Sequence, residues 1–167
     1  MTLALAGEAL ALGGLAANAE EGRAKAAAML ASGKAAEIFG RMIAALGGPT
    51  DFIEKPGEYL KPALVIREVH PHKAGTVASV NCREVGIAVI ELGGGRRLPN
   101  DRIDFSVGFS KLSEVGEEVG PNQPLALVHA RDEATAEAAA SALRVAYRIS
   151  AEASAPRPMI LSRLAPP

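Results

Sequence analysis

The residues whose types and spacing most directly suggest chemistry are Gly93-Gly94-Gly95-Arg96-Arg97, three consecutive glycines followed by two arginines. Glycines allow backbone N–H groups to approach an anion, and guanidinium groups can pair with it, so phosphate binding is the chemistry to weigh. Two features oppose it. The glycines follow a predicted helix, Asn81 to Leu92, so a bound phosphate would meet the negative end of that helix's dipole. The stretch also lacks the Gly-Lys-Ser/Thr ending of a P-loop. The pattern favours a helix stop, with Gly93 as the left-handed residue and the arginines paired to Asp101 or Asp104.

The histidines come next. His70-Pro71-His72 offers two imidazoles with Glu68 nearby, but two ligands without a further Cys or carboxylate do not make a metal site, and Pro71 favours a surface turn. His129 ends an apolar run and fits a satisfied core or edge histidine better than a general base. Cys82 falls at the expected start of a helix with no histidine near it in sequence, which favours a half-buried packing cysteine. Lys111, in Ser110-Lys111-Leu112, is the lysine closest to a turn of the kind that carries a covalent cofactor. It lacks the flanking Met or Asp that such a site would have.

Positioning these residues are elements read from periodicity and punctuation. Three helices are predicted over 2–12, 19–31 and 35–46, each ended by glycine: Gly13-Gly14, Gly33 and Gly47-Gly48. Together they carry too many apolar faces for an independent bundle of this size. Residues 49–62, with three prolines, read as a linker. Strands follow at 63–69 and 75–80, then the 81–92 helix with Asn81 as N-cap. The alternation Ile103, Phe105, Val107, Phe109 predicts a half-buried strand over 103–109. Another strand is expected at 124–130, a long Ala-rich helix at 132–149, and a last short strand from Met159 to Leu164. The second half is therefore α+β, with a mixed or antiparallel sheet.

Composition bounds the function classes. The 167 residues are 49% hydrophobic and 4% aromatic, with no Trp, so any core is built from Ala, Val, Leu and Ile. A formal charge of −1 and a pI of about 6.3 point to neither nucleic acid nor an anionic membrane. One cysteine excludes an internal disulfide framework and suggests a reducing compartment. The apolar start, Met1 to Ala19, has no basic residue before Arg23 and is interrupted by Glu8. It reads as a buried helix of a cytoplasmic protein, not as a signal peptide or a membrane span.

The run Gly86-Ile-Ala-Val-Ile-Glu-Leu-Gly-Gly-Gly-Arg-Arg97, with Asp101-Arg-Ile-Asp-Phe-Ser-Val-Gly108, resembles the C-terminal domain of thymidine phosphorylase and its pyrimidine-nucleoside phosphorylase relatives. The resemblance continues through Gly116-Glu-Glu-Val119 and Pro124-Leu-Ala-Leu-Val-His-Ala130. It extends back to Gly33-Lys-Ala-Ala-Glu-Ile-Phe-Gly-Arg-Met42 and Gly48-Pro-Thr-Asp-Phe52, and so covers nearly the whole chain. The stretches 75–80 and 116–128 also resemble strands of biotinyl and lipoyl carrier domains. The two resemblances agree on a hammerhead-type domain related to the barrel-sandwich.

This resemblance implies an organisation and a function. Residues 1–48 would be the helical tail of the family's large α/β domain, 49–62 a linker, and 63–167 the C-terminal domain. The family cleaves pyrimidine (deoxy)nucleosides with phosphate to free base and pentose 1-phosphate. Phosphate is a co-substrate, and no cofactor is implied. The family's phosphate segment, Lys-His-Ser-Thr-Gly-Gly, and its pyrimidine site, an Arg with a Ser-x-x-x-Lys helix, do not occur in these residues. No catalytic, substrate-binding or metal residue carries over to a position here. The expectation is the C-terminal part of such an enzyme, inactive alone, whose partner is the N-terminal part and whose family dimer interface falls outside this chain. A start in what would be mid-domain favours a truncated gene product. The alternatives are a non-catalytic partner-binding or scaffold module of the same fold, and, third, a carrier domain.

Overall fold

The computed structural model describes residues 1–152, 158 and 160–164. The chain forms two compact units, Met1–Tyr59 with Pro158–Pro167, and Leu60–Arg157.

In the first unit, α1 (Thr2–Leu12), α2 (Ala19–Ala31) and α3 (Lys34–Ala45) lie close to the predicted spans. Asn18 caps α2, its side chain accepting from the Glu21 N–H at 2.9 Å, while Glu21 reaches back to the Ala17 N–H at 2.8 Å. The buried residues of α1 and α2 are Gly7 and Gly22, which let the two backbones cross in direct contact. A Cβ on Gly7 would stand 2.5 Å from the Ala19 carbonyl oxygen and 2.8 Å from the Arg23 nitrogen. No residue of α3 is buried, and Ile38, Phe39, Met42 and Leu46 are exposed. Within the stretch read from sequence as a linker, a turn and the short helix α4 (Pro56–Tyr59) form. Phe52 meets Phe39 edge-on at 6.3 Å and lies 6.2 Å from Tyr59, whose hydroxyl donates to Asp51. Arg163 forks onto Glu8 through Nε and Nη2 at 2.6 and 2.8 Å.

The second unit is α+β and holds the core. Its strands are β1 (Val65–Val69), β2 (Gly75–Val80), β3 (Gly108–Ser110), β4 (Glu118–Val119), β5 (Ala126–Ala130) and β6 (Tyr147–Ser150). They form two antiparallel three-stranded sheets, ordered β1-β5-β3 and β4-β2-β6. Alternation places Ala126, Val128 and Ala130 of β5 inward, and Leu127 and His129 on the outer face beside Glu68 and Ile66 of β1. The helices are α5 (Cys82–Leu92) and α6 (Glu133–Ala146). Helix α6 starts on Asp132, whose carboxylate accepts from the Thr135 N–H at 2.7 Å, a bond that holds its carboxyl below the usual range. Its inner face is Ala136, Ala139, Ala140, Leu143 and Ala146. Small side chains let it lie close over Val69, Val77, Leu92, Leu125 and Val128, an aliphatic core of the kind the composition demands.

Three expectations need correction. The strand predicted over 103–109 is confined to Gly108–Ser110, and Phe105, expected inside, is 91% exposed. The cause is local: Asp104 Oδ1 accepts from the Ser106 N–H at 3.0 Å and from its hydroxyl at 2.6 Å, a turn that competes with the ladder. The helix predicted to 149 ends at Ala146. Tyr147 turns extended, at φ −100 and ψ 131, and starts β6 opposite Val80. The strand expected at 159–164 is absent from Ile160–Leu164, and Met159 lies outside the described residues.

Candidate functional site

The glycine–arginine loop is built by the end of α5. Asn81 caps the helix start, accepting from the Glu84 N–H at 3.3 Å, as its position implied. At the other end Gly93 is left-handed, with φ 97 and ψ 5. Its N–H donates to the Ile90 carbonyl at 3.0 Å, and the Gly94 N–H donates to that of Val89 at 2.9 Å. This is the paired bonding of a Schellman stop. Gly95 serves packing, since a Cβ there would lie 2.7 Å from Ile90 Cγ1. The Asp104 N–H then donates to the Gly93 carbonyl at 2.9 Å and folds the loop back.

Beyond the glycines two backbone donors are already taken. Asp101 Oδ2 accepts from the Arg97 N–H at 3.0 Å and the Leu98 N–H at 2.9 Å, where an external anion would otherwise sit. The Leu98 and then the Arg97 N–H hold the Asp101 carboxyl below the usual carboxylate range. The expected ion pairs are corrected in detail. Arg97 pairs with Glu91 at 2.6 Å, and Arg96 Nε donates to the backbone carbonyl of Asp101 at 3.3 Å. Among the described residues neither arginine makes a salt bridge to Asp101 or Asp104.

Substituting Gly93 by Val is therefore expected to destabilise the second unit by about 1 kcal/mol or more, because a β-branched residue resists a left-handed backbone. Arg96→Ala should move the denaturant midpoint less, its contact being exposed. An unchanged midpoint for Gly93→Val would contradict the helix-stop role. A melting temperature raised by phosphate in the wild type, and not in Arg96→Ala, would restore an anion-binding one.

The remaining candidates are dispersed. His70 Nδ1 lies 3.0 Å from the Gly120 carbonyl oxygen and Nε2 lies 3.0 Å from Glu68 Oε2. Among the described residues no group of three or more His, Cys, Asp or Glu could hold a metal ion. His129 lies within 2.7 Å of the Ser110 hydroxyl, but on the outer face of the central strand β5, so it is a partnered histidine and neither the core nor the edge one expected. Cys82 is exposed instead of half-buried. Lys111 has φ 52, the one non-glycine residue with a positive φ among the described residues, and is exposed. An open cleft between residues 74–76 and 118–123 has Glu118 as its charged side chain, a poor neighbour for phosphate.

Two polar features escaped the sequence. Arg67 of β1 pairs with Glu133 at 3.4 Å and with Glu137, which also takes Arg144 at 3.2 Å. Glu133, Glu137 and Arg144 share a face of α6 by their helical spacing. The strand partner, 70 residues from Glu137, left no local signal. The Tyr147 hydroxyl donates to the Ser113 carbonyl at 3.0 Å, and burial pushes its phenol up to about 12. Both features fasten elements together, and neither opens on a site for a substrate.

Residues 76–150, from β2 to β6, match the family model described as the pyrimidine nucleoside phosphorylase C-terminal domain.

Proposed function

We propose that this chain, whose residues 76–150 match the pyrimidine nucleoside phosphorylase C-terminal domain, is the C-terminal part of an enzyme that splits pyrimidine (deoxy)nucleosides with phosphate. The products would be the free base and (deoxy)ribose 1-phosphate. The match over residues 76–150 is the observation that carries this reading. On it, residues 1–48 are the helical tail of the large α/β domain, 49–62 join the two parts, and 63–167 form a hammerhead-type terminal domain. Phosphate is co-substrate, no cofactor is required, and the partner is the catalytic part of the enzyme. The setting is cytoplasmic, the compartment that a single cysteine suggests. Among the described residues no helix is long and apolar enough to cross a membrane.

We further propose that the chain is inert alone. Glycosyl transfer to phosphate depends on positioning and on stabilising charge, so a chain without the anion clamp lacks the catalyst. The closest substitute, the glycine–arginine loop, spends the Arg97 and Leu98 N–H groups on Asp101 and those of Gly93 and Gly94 on the end of α5. The purified chain is expected to show no phosphate-dependent cleavage of thymidine or uridine. Turnover above buffer background that disappears when phosphate is withheld would overturn this. The exposed apolar face of α3, Ile38, Phe39, Met42 and Leu46, favours a second reading as a partner-binding module of the same fold.

A further inference from the structure

We propose that His70 and Glu68 form a proton-controlled latch at the end of β1, the ring staying anchored through the Gly120 carbonyl to the turn after β4 in both protonation states. Its two ring nitrogens face two different acceptors, Nδ1 the Gly120 carbonyl oxygen at 3.0 Å and Nε2 the Glu68 carboxylate at 3.0 Å. A carbonyl and an ionised carboxylate can only accept. Both contacts are hydrogen bonds only while both nitrogens carry protons, and a neutral ring can serve just one.

The surroundings decide which contact survives. The Gly120 carbonyl belongs to a fixed turn, where the Gly120 N–H donates to the Gln123 carbonyl at 2.8 Å. His70 is itself held from the other side, its carbonyl accepting from Arg144 Nε at 3.0 Å. Glu68 is an exposed side chain on an edge strand and can swing into water. The neutral ring therefore keeps its proton on Nδ1, and Glu68 lets go. The charged groups around the ring are consistent with this. Residues 119–123 bring no titratable side chain. On α6, Arg144 is engaged with the His70 backbone carbonyl and with Glu137, which also holds Arg67. His72 and Lys73 lie in the loop that follows. With the latch closed, Glu68 and His70 cancel in charge. With it open, a bare carboxylate stands in the outer-face row that Glu68 shares with Leu127 and Ser110. Proton uptake thus removes a negative charge from that face, and release restores it.

The test is 15N-detected NMR of the histidine rings in the full chain, with His70 assigned by the signals that His70→Gln removes. On the acid side of the ring's transition both ring nitrogens should be protonated. On the alkaline side the remaining proton should sit on Nδ1, the less common tautomer of free imidazole, and the Glu68 carboxylate carbon should shift with the ring's transition. Glu68→Gln should keep the Nδ1–H tautomer at high pH, since Gly120 and not residue 68 selects it. An Nε2–H tautomer at high pH, in the wild type or in Glu68→Gln, would overturn the latch. So would a Glu68 carbon that ignores the ring's transition.

Discussion

Gly22→Ala should destabilise the first unit, although the same substitution on an open helix surface stabilises. Glycine inside a helix costs roughly 0.5–1 kcal/mol relative to alanine, so adding a methyl group normally gains that amount. At Gly22 the new Cβ would press on the Gly7 carbonyl oxygen and stand 3.0 Å from the Gly7 Cα. Both are backbone atoms of α1, which cannot rotate aside as a side chain could. Overpacking of this kind costs about 1–3 kcal/mol and sometimes more, and here the upper end is expected. The unit has little to absorb it, because Gly7 and Gly22 are its only buried residues among those described. Gly86→Ala is the matched control. Gly86 lies inside α5 with nothing within 4 Å of its would-be Cβ, and it should gain stability. Hydrogen exchange resolved along the chain reads both. Amides of α1 and α2 should lose protection in Gly22→Ala, and those of α5 should keep or gain it in Gly86→Ala. Increased protection of α1 and α2 in Gly22→Ala would mean that the two helices do not cross on their glycines.

That crossing shows what a sequence leaves hidden. Each helix is legible from its composition and its glycine stop, whereas the close approach at Gly7 and Gly22 depends on which helix lies opposite. Caps fared better because they are local. Asn81 and Gly93 bound α5 where expected, since the donors and acceptors they satisfy lie within a turn of them. The outcome differed wherever a competing bond or a distant partner decided. Ile103, Phe105, Val107 and Phe109 alternate as a strand should, but Asp104 closes on Ser106 and turns Phe105 out to solvent. Residues 147–149 continue a helical pattern, but Tyr147 and Ile149 are also good strand residues, and pairing with Val80 and Val77 takes them. At the candidate site the same division holds. The helix stop was readable, whereas the Asp101 carboxylate seated on two N–H groups, and the choice of Glu91 as the partner of Arg97, depend on how the loop folds back.

Leu143→Ala is expected to have the largest effect in the second unit. The core has few large side chains: Leu92, Leu125 and Leu143 are the three fully buried leucines, beside Val69, Val77 and Val128. Around Leu143 the inner face of α6 is alanine, so no neighbouring side chain on that helix is long enough to fill a void. Truncating a buried leucine costs about 2–5 kcal/mol, the transfer term plus the cavity left behind, and a site that cannot collapse lies toward the top of that range. A unit of this size is typically stable by about 5–15 kcal/mol in total, so a third or more of its stability would be lost. At roughly 4–8 °C per kcal/mol, the melting temperature should fall by on the order of 10 °C or more. Val145→Ala on the same helix is the control. Val145 is 85% exposed, so its truncation should stay within about 0.5 kcal/mol of wild type. Chemical denaturation of the two variants side by side separates a packing effect from a helix-propensity effect, because both replace a larger residue by alanine in α6. Equal midpoints for Leu143→Ala and Val145→Ala would show that α6 does not turn Leu143 into the core, and the packing of the helix over both sheets would have to be redrawn.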